Sequence, residues 1–439
     1  MILSGWGRFP VMDCKTLGLR EINDVGQLLA RTPSLIPRGN GRAYGDAAIN
    51  PETTLLMSAC DRFLGFDTGN GVVECEAGLL LADLLDVVVP RGWFPPVVPG
   101  TKFVTIGGLI AADVHGKNHH LDGSFGRHVA SLRLALADGT VVNCSRSENS
   151  DLFAATLGGM GLTGVILSAR IRLRPITSSL IDETTIRAPS LEALLQLFNE
   201  HHAATYSVAW IDCLAGGDHF GRGILMLGEH AEAGCDSSAR PDDLSRIKRK
   251  SSVSVPFELP FSPLNRWSIK LFNEFFYRLQ TPRRRRTHYD RYFFPLDAIQ
   301  NWNRIYGRHG FVQFQCVIGG DKSEHGLRRI LSLVRDMGLG SFLSVLKVLG
   351  PGTRFLSFPM EGYTITLDFP VRPETMNGLA KLDAVLDEHG GRIYLAKDAR
   401  APRAVIERGY PEIESFRELR RKIDPERKFR SVLSERLGL

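Results

Sequence analysis

The segment PRGNGRAYGD, residues 37–46, constrains the chain most, because it concentrates three glycines and two arginines between apolar stretches. Glycines and an asparagine in such a loop can turn successive backbone N–H groups toward one point, which forms an anion-binding nest. Arg38 and Arg42 would add positive charge suited to a pyrophosphate. A surface turn with two solvated arginines would show the same pattern, so the loop alone leaves both interpretations open.

A second segment, residues 99–120, strengthens the ligand interpretation. Tiny residues occupy positions 107, 108, 111 and 112, which leaves little side chain between the backbone and a neighbour, as close packing on a cofactor requires. Three histidines, His115, His119 and His120, raise the alternative of a metal site. They form no HExxH pattern, however, and Gly116 weakens any helix between them. We therefore predict no metal in this segment.

A third glycine motif, residues 159–164, matches the GxGxxG pattern of dinucleotide-binding proteins. That pattern requires a strand before the motif and a helix after it. Here a helix-like segment, residues 151–157, precedes the motif, and the alternating segment VILSARIRLR follows it. We interpret the motif as a structural turn because the order is reversed.

Hydrophobic periodicity predicts an α+β protein. Predicted strands are residues 72–76, 165–174, 206–212, 311–318, 342–349 and 363–369. Predicted helices are residues 79–89, 191–202, 324–337 and 374–389. Residues 232–255 are rich in Ser, Asp and Lys, which predicts a mobile loop.

Composition narrows the class of protein. The 439 residues are 43% hydrophobic and carry a formal net charge of +6, which is too weak an excess to imply nucleic acid. The seven cysteines are scattered without a CxxC pair, so we expect reduced thiols. The start of the chain shows no signal peptide, and no stretch reaches the roughly 18 apolar residues that a membrane span needs. Any membrane contact would therefore be peripheral.

Several segments together resemble one flavoprotein family. They are RGNGRAYGD (38–46), PGT (99–101), IGG (106–108), ADVHGKNHH (112–120), GSFG (123–126), WNRIYGRHGFVQFQ (302–315), GGRIYLAKDAR (390–400) and KIDPERKF (422–429). The chain resembles the vanillyl-alcohol-oxidase, or PCMH-type, superfamily, and within it the prenylphosphoryl-ribose oxidases. The resemblance implies a two-domain PCMH-type FAD-binding fold with an antiparallel-sheet substrate domain. The implied domains are residues 1–178 for FAD, residues 179–391 for substrate, and residues 392–439 returning to the FAD domain.

FAD is the cofactor that the resemblance implies. The implied FAD-binding residues are Arg38, Gly39, Asn40, Gly41, Arg42, Ala43, Tyr44, Gly45, Gly100, Thr101, Thr105, Ile106, Gly107, Gly108, Ala112, Asp113, His115, Gly116, Ile166 and Tyr394. Many relatives attach FAD covalently through a histidine in the first loop. Arg42 stands at that position here, so the resemblance implies non-covalent FAD.

The resemblance also implies the catalytic residues. Lys397 would accept the hydroxyl proton of an alcohol substrate, and His115 would lie beside the flavin. Lysine acts as a base only if burial or neighbouring cations lower its pKa. The alternatives are that Lys397 stays charged and only binds flavin or substrate, and that His115 is a buried structural histidine.

A substrate set follows from the same comparison. Gln313 and Gln315 alternate with Phe314, so both amides face one side of a strand, where they could bind sugar hydroxyls or occupy a polar edge. The full implied set is Lys117, Gln313, Gln315, Lys347, Thr364, Thr366 and Lys397. The chain departs from relatives that carry a cysteine where Thr366 stands and an asparagine where Thr364 stands. Hydride transfer does not require the cysteine, so the implied activity class stands while the exact substrate stays open.

The implied reaction is oxidation of the C2′ hydroxyl of a polyprenylphosphoryl-β-D-ribose to the 2′-keto sugar. This is the first half of epimerisation to the arabinose donor for cell-wall polysaccharide, and a separate NAD(P)H-dependent keto-sugar reductase would complete it. One alternative is an aldonolactone or sugar-alcohol oxidase that acts on a soluble substrate. A second is a non-catalytic FAD- or lipid-binding protein, against which the retained Lys397 argues.

One segment suggests a membrane surface. Residues 267–279 are aromatic and helix-compatible, and four arginines follow at 283–286, as in segments that meet anionic lipid. In this interpretation Trp267 and Phe276 insert partly into the lipid, and the protein is cytoplasmic or peripheral at the cytoplasmic membrane. The alternative is a buried core helix followed by a solvated arginine turn.

Overall fold

The computed structural model describes residues 1–232, 253–258, 260 and 262–439. The helices are α1 (Val25–Arg31), α2 (Leu81–Val88), α3 (Ile106–Ala111), α4 (His119–Asp122), α5 (Ser150–Thr156), α6 (Leu191–Glu200), α7 (Arg266–Leu279), α8 (Tyr289–Phe293), α9 (Ser323–Asp336), α10 (Pro373–Glu388), α11 (Arg403–Gly409), α12 (Ile413–Ile423) and α13 (Val432–Leu437).

The strands of the first 175 residues are β1 (Ile2–Ser4), β2 (Val11–Asp13), β3 (Thr16–Gly18), β4 (Ile36–Arg38), β5 (Thr54–Leu56), β6 (Phe63–Asp67), β7 (Val72–Glu76), β8 (Trp93–Phe94), β9 (Val129–Ala135), β10 (Val141–Ser145), β11 (Val165–Arg172) and β12 (Arg174–Pro175). The later strands are β13 (Leu180–Ala188), β14 (Tyr206–Ile211), β15 (Gly223–His230), β16 (Val253–Ser254), β17 (Arg283–His288), β18 (Ile299–Gln300), β19 (Phe311–Gly319), β20 (Ser344–Leu349), β21 (Gly362–Pro370) and β22 (Arg392–Ile393).

The N-terminal region holds a small parallel sheet in the order β3-β5-β4 and an antiparallel sheet in the order β10-β9-β11-β7-β6. The predicted strand 72–76 is confirmed as β7, where Val73 and Cys75 alternate into the core. The predicted helix 79–89 corresponds to α2, which buries one apolar face. These sheets and helices support the two glycine-rich segments.

An antiparallel eight-stranded sheet dominates the rest of the chain, in the order β17-β13-β15-β14-β20-β21-β19-β22. Helices α6, α9 and α10 pack on one face, where their apolar residues join Val312 and Phe314 in a shared core. The side chain of Ser190 caps α6 by accepting from the amide of Ala193 at 3.3 Å. The α+β class predicted from periodicity is confirmed, and the opposite face of the sheet is left to form the wall of a cavity.

The C-terminal segment contacts both regions. Leu35 forms a bridge with Phe429, and its amide donates to the carbonyl of Lys428 at 2.9 Å. Arg436 donates two hydrogen bonds of 3.1 Å to the carboxylate of Asp46, at the end of the first glycine-rich loop. The first residues of the segment behave differently, because β22 pairs with β19 at the edge of the large sheet.

Three expectations change at this level. The four arginines at 283–286 form no solvated turn: they lie in β17, the edge strand paired with β13. The helix before them is not buried in a core either, since Ile269 and Asn273 are its buried residues. The strand 165–174 breaks after Arg172 into β11 and β12. Residues 233–252 of the expected loop lie outside the described residues.

The GxGxxG motif lies between α5 and β11, so its assignment as a turn is confirmed. Met160 within it adopts a left-handed conformation with φ of 53°, which is unusual for a residue with a side chain. Within the described ranges, no helix has the length and apolar character needed to cross a bilayer.

Candidate active site

A cavity of about 840 Å³ lies between the two glycine-rich segments and the free face of the large sheet. Most of the predicted cofactor residues line it: Arg38, Gly39, Asn40, Gly41, Arg42, Ala43, Tyr44, Gly100, Thr101, Thr105, Gly107, Gly108, Ala112, His115, Gly116, Ile166 and Tyr394. Lys117, Gln313, Gln315, Lys347, Thr366 and Lys397, from the predicted substrate set, line it as well. A volume of this size is typical of a site for a cofactor or substrate.

Four of the predicted residues lie behind the wall instead. Ile106 is fully buried in the apolar core at the start of α3. Thr364 is also fully buried, donates to the carbonyl of Cys316 at 2.8 Å and accepts from Gln315 at 3.4 Å. Thr364 therefore supports a residue of the wall and does not reach the cavity.

The other two residues behind the wall are Asp113 and Gly45. Asp113 is buried and accepts hydrogen bonds from the amide of Gly126 at 3.0 Å and from the hydroxyl of Ser357 at 2.5 Å. A Cβ on Gly45 would lie 1.8 Å from the carbonyl oxygen of Asp398. Both positions hold backbone segments together, so their contribution to the site is structural.

The first glycine-rich loop presents one arginine to the cavity with unused donor capacity. Arg38 donates to the backbone carbonyls of Ser4 at 2.7 Å and Ala48 at 3.2 Å, so it supports the loop more than a pyrophosphate. The guanidinium of Arg42 lies 4.0 Å from the ring centre of Trp6. Its Nε is buried, and the described part of the chain offers it no hydrogen-bond partner. A ligand oxygen would satisfy that donor.

The second segment brings bare backbone to the cavity. Thr105 caps α3 by accepting from the amide of Gly108 at 3.2 Å. A Cβ on Gly39 would lie 2.1 Å from Thr105 Oγ1, so the two segments touch where glycine allows it. A Cβ on Gly100, in contrast, would meet nothing within 4 Å. The cradle therefore suits a large flat ligand held against the backbone, and FAD fits it.

His115 lies at the junction between this cradle and the sheet. Its Nε2 is 2.9 Å from Nε2 of Gln315, and its buried Nδ1 has no partner among the described residues. Burial, together with the charge of Lys347, holds the pKa of His115 well below its ordinary value. The imidazole is therefore neutral, and its free nitrogen is available to a ligand.

Three buried lysines give the cavity its electrostatic character: Lys117 in the second segment, Lys347 on β20 and Lys397 in the turn after β22. Burial lowers the pKa of Lys117 to about 7, that of Lys347 to about 8 and that of Lys397 to about 7, and the charge of Lys347 contributes to the other two shifts. Lys117 donates to the carbonyl of Tyr292 at 2.5 Å, whereas Lys397 lies 3.5 Å from the ring centre of Tyr44. A lysine with a pKa near 7 can take up a proton at neutral pH, which an ordinary lysine cannot do.

The sequence interpretation missed two parts of the site. The first is Asp368, which is fully buried and accepts a hydrogen bond from Gln313. Asp368 follows Thr366 by two residues on the same strand, and this spacing could have indicated that both face the same side. The second is an apolar part of the wall that includes Trp210, Phe272, Phe276 and Phe342. Phe276, predicted to insert partly into lipid, is partly buried, and its ring centre lies 4.9 Å from that of Trp210.

No group of three or more His, Cys, Asp or Glu residues able to hold a metal ion occurs within the ranges that the structure describes. His119 accepts a hydrogen bond at its Nδ1 from the backbone amide of Gly350, at 3.0 Å.

Comparisons with known proteins agree with this geometry. The FAD binding domain family matches residues 21–145, which include both glycine-rich segments. Decaprenylphosphoryl-β-D-ribose oxidase from Mycolicibacterium smegmatis is 34% identical over 100% of this chain and 97% of its own length. An uncharacterised protein from Streptomyces coelicolor is 36% identical over 82% of this chain and 100% of its own length. L-gulonolactone oxidase from Bos taurus is 30% identical over 43% of this chain and 42% of its own length.

The match to the mycolicibacterial oxidase extends through the glycine-rich cradle and the lysine-bearing sheet alike. With its FAD-binding domain and its buried lysines in one cavity, the chain belongs to the decaprenylphosphoryl-β-D-ribose oxidase family of FAD-dependent oxidoreductases.

Proposed function

We propose that this enzyme oxidises the C2′ hydroxyl of a polyprenylphosphoryl-β-D-ribose to the 2′-keto sugar. One observation carries the proposal: a cradle for FAD, a set of buried cations and an apolar wall all open into the same cavity. The substrate has three matching parts, namely a sugar to be oxidised, an anionic phosphate and an apolar tail. A soluble aldonolactone would use neither the cations nor the aromatic wall.

The oxidation removes a proton from oxygen and a hydride from carbon. Bound FAD would supply the hydride acceptor. Lys397 takes the hydroxyl proton on the lone pair of Nζ, and the C2′–O bond becomes a carbonyl as the hydride leaves C2′. The pKa of Lys397, lowered to about 7 by burial, supports this role because the amine is then largely neutral at slightly alkaline pH.

The remaining polar residues of the sheet wall hold the substrate. Gln315 is fixed by its contact with His115, so its amide is oriented before the sugar arrives. Lys117 and Lys347 provide positive charge for the phosphate within the same cavity. Loss of solvent around the bound sugar strengthens each of these interactions.

The apolar wall and the surface of α7 suit the prenyl tail. Phe272 and Phe276 line the cavity, while Trp267, Leu271 and Phe275 are 76%, 61% and 59% exposed on the same helix. A helix with one apolar face in solvent and another in the cavity is suited to draw a lipid from a membrane surface. We infer peripheral binding to a membrane, through this apolar stripe more than through the arginines.

The arginines of β17 contribute less than their sequence suggests. Arg285 forms a salt bridge of 2.9 Å with Glu183, and Arg286 forms one of 2.7 Å with Asp182. Arg283 and Arg284 are exposed and retain charge for anionic lipid.

FAD is proposed to bind without a covalent link, since Arg42 occupies the position of the histidine that other superfamily members use. Acid or heat should release all of the flavin into the supernatant. Flavin that stays with the precipitated protein would contradict this proposal.

Residues 1–178 and 392–439 are proposed as the FAD-binding domain and residues 179–391 as the substrate domain. The glycine-rich cradle and the large sheet fall on either side of residue 178, which supports the division. A separate NAD(P)H-dependent reductase is the proposed partner, because epimerisation requires the keto sugar to be reduced from the other face.

Anaerobic titration with a prenylphosphoryl ribose tests the function, with flavin absorbance as the measurement. The flavin should bleach on addition of the ribose compound, while the matched 2-deoxyribose compound should bind without bleaching it. Bleaching by an aldonolactone and not by the prenylphosphoryl sugar would establish a soluble-substrate oxidase instead. Bleaching by neither would overturn the proposed function.

A further inference from the structure

Asp368 lies opposite Gln313 in the pairing of β21 with β19, on the same face of the sheet, and has no exposed surface. Its Oδ1 accepts from Nε2 of Gln313 at 2.5 Å, and its Oδ2 accepts from the hydroxyl of Tyr306 at 3.4 Å. The hydroxyl of Ser341 accepts from its backbone amide at 2.8 Å, which fixes this part of β21. A carboxyl group without solvent depends on such donors, so its position is set by the fold.

Lys397 is the cationic group whose pKa this carboxylate affects. Burial lowers the pKa of Lys397, and the nearby Asp368 partly opposes this effect by raising it. Burial raises the pKa of Asp368 to about 7, and Lys397 partly opposes that effect by lowering it. The amide of Tyr44 donates to the carbonyl of Ala396 at 2.9 Å, so the phenol ring and the adjacent lysine are held together. The side chain of Gln313, which donates to Asp368, also shares a hydrogen bond with the hydroxyl of Tyr44, whose ring Lys397 contacts. The carboxylate and the amine therefore lie at the two ends of one chain of contacts.

The surroundings of the two groups come from several elements. The charged and titratable groups that influence Lys397 or are influenced by it are Tyr44 from the first loop, His115 from the second segment, Lys347 on β20 and Asp368 on β21. Those that influence Asp368 are Tyr306 and Lys397, with the amide of Gln313 as its nearest donor, and Asp368 in turn raises the pKa of Tyr44. Of these groups, Asp368 is the one carboxylic acid.

We propose that Asp368 is a positioning residue that acts through Lys397 and Gln313 without touching the substrate. It orients the amide of Gln313 on the cavity wall, and its negative charge stabilises the ammonium that forms when Lys397 accepts the substrate proton. The inference rests on the proposed function in that it takes Lys397 as the base. Asp368 adds a negative charge near the amine, so the pKa of Lys397 is higher than burial alone would make it.

Asp368→Asn removes the charge and keeps the shape, and it can be tested without turnover. The holoenzyme is treated with acetic anhydride over a range of pH, and acetylation of Lys397 is followed by peptide mass spectrometry, since only the neutral amine reacts. The apparent pKa of Lys397 should fall by at least about half a unit in Asp368→Asn, because the neighbouring anion is lost. The acid limb of flavin reduction should move to lower pH by a similar amount.

Ser341→Ala is the matched structural control. It loses a hydrogen bond to the backbone of Asp368 but leaves the charge in place, so the apparent pKa of Lys397 should stay as in the unmodified enzyme. An equal shift in both variants would mean that Asp368 acts by packing alone, and this would overturn the proposal.

Tyr306→Phe is a second test, which remains informative if Asp368→Asn does not fold. It keeps the carboxylate and removes one donor, which raises the pKa of Asp368 and lowers its average charge. The apparent pKa of Lys397 should then fall in the same direction by a smaller amount. An unchanged value in Tyr306→Phe, or in a folded Asp368→Asn, would overturn the proposal. Acetylation requires no substrate, so failure of the proposed function would be seen separately.

Discussion

The two walls of the cavity use different physical means. The cradle wall binds through backbone, with glycines at positions where a side chain would collide, such as Gly39 against Thr105. The sheet wall and the turn after β22 bring buried titratable side chains to the cavity, among them Lys347 and Lys397, whose pKa values burial lowers to about 8 and about 7. The cradle should therefore be sensitive to added volume, and the sheet wall to changes in charge and pH.

The largest effect should come from removing the proposed base, Lys397. Lys397→Ala should retain flavin but slow its reduction by substrate at least about a hundredfold, the lower range for a lost general base. Stopped-flow absorbance measures this rate. The exposed Lys322 provides a control, since Lys322→Ala should reduce flavin at the normal rate. Normal turnover by Lys397→Ala would show that this lysine is structural.

Adding one methyl group should damage the cradle. Gly39→Ala places a Cβ 2.1 Å from Thr105 Oγ1, the atom that caps α3, so either Thr105 or the first loop must shift. A strain of roughly 1–3 kcal/mol corresponds to a loss of FAD affinity of about fivefold to 150-fold. Flavin content after gel filtration is the measurement.

Gly18→Ala is the matched control for that substitution, because a Cβ at Gly18 would meet nothing within 4 Å. It should keep its full flavin content. Full flavin content in Gly39→Ala as well would mean that the cradle is not limited by volume.

The pH dependence should separate the walls further. Only the neutral amine of Lys397 accepts a proton, and its pKa is about 7. The rate of flavin reduction should therefore rise with pH through about 7 and level off above it, with a loss of about tenfold for each unit below that value. Flavin content should stay constant across the same range, since the cradle contacts are backbone. A flat rate profile would refute a titrating base.

The smallest effect should come from the outside of the apolar wall. Replacing Trp267 and Leu271 by serine should lower kcat/KM for a long-chain substrate about fivefold, as expected for roughly 1 kcal/mol of lost partial burial in lipid. A short, water-soluble prenyl analogue should be unaffected. Replacing Arg283 and Arg284 by glutamine should have a smaller effect that disappears at high salt. Equal losses on both substrates would mean that these apolar residues stabilise the fold and do not contact a membrane.

Much of the site was predictable because its residues are close together in the chain. Residues 38–44 and 100–116 supply most of the cradle, and local glycine and alanine patterns reveal that kind of wall. The strand alternation of Gln313 and Gln315 also predicted correctly that both face the same side. Thr364 shares the face of Thr366 by the same rule, yet it lies behind the wall, since alternation does not report depth.

The arginines at 283–286 show where local pattern misleads. Four successive charges suggest a solvated turn, but the acidic partners Asp182 and Glu183 lie about a hundred residues earlier and become neighbours only through pairing of β13 with β17. Phe276 is similar, because the direction that an amphipathic helix presents to solvent depends on what it packs against.

By itself the sequence determined the α+β class and the backbone cradle, since these follow from periodicity and glycine spacing, and its motifs carried the family resemblance that implied FAD. Only the tertiary structure decided the chemistry of the sheet wall. A pKa depends on burial and on charges that distant segments bring near, so the pKa of Lys397, the proposed base, falls only when β20, β21 and the first loop enclose it. Asp368 acquires its place for the same reason, because the wall that hides it from solvent is assembled from strands far apart in the chain.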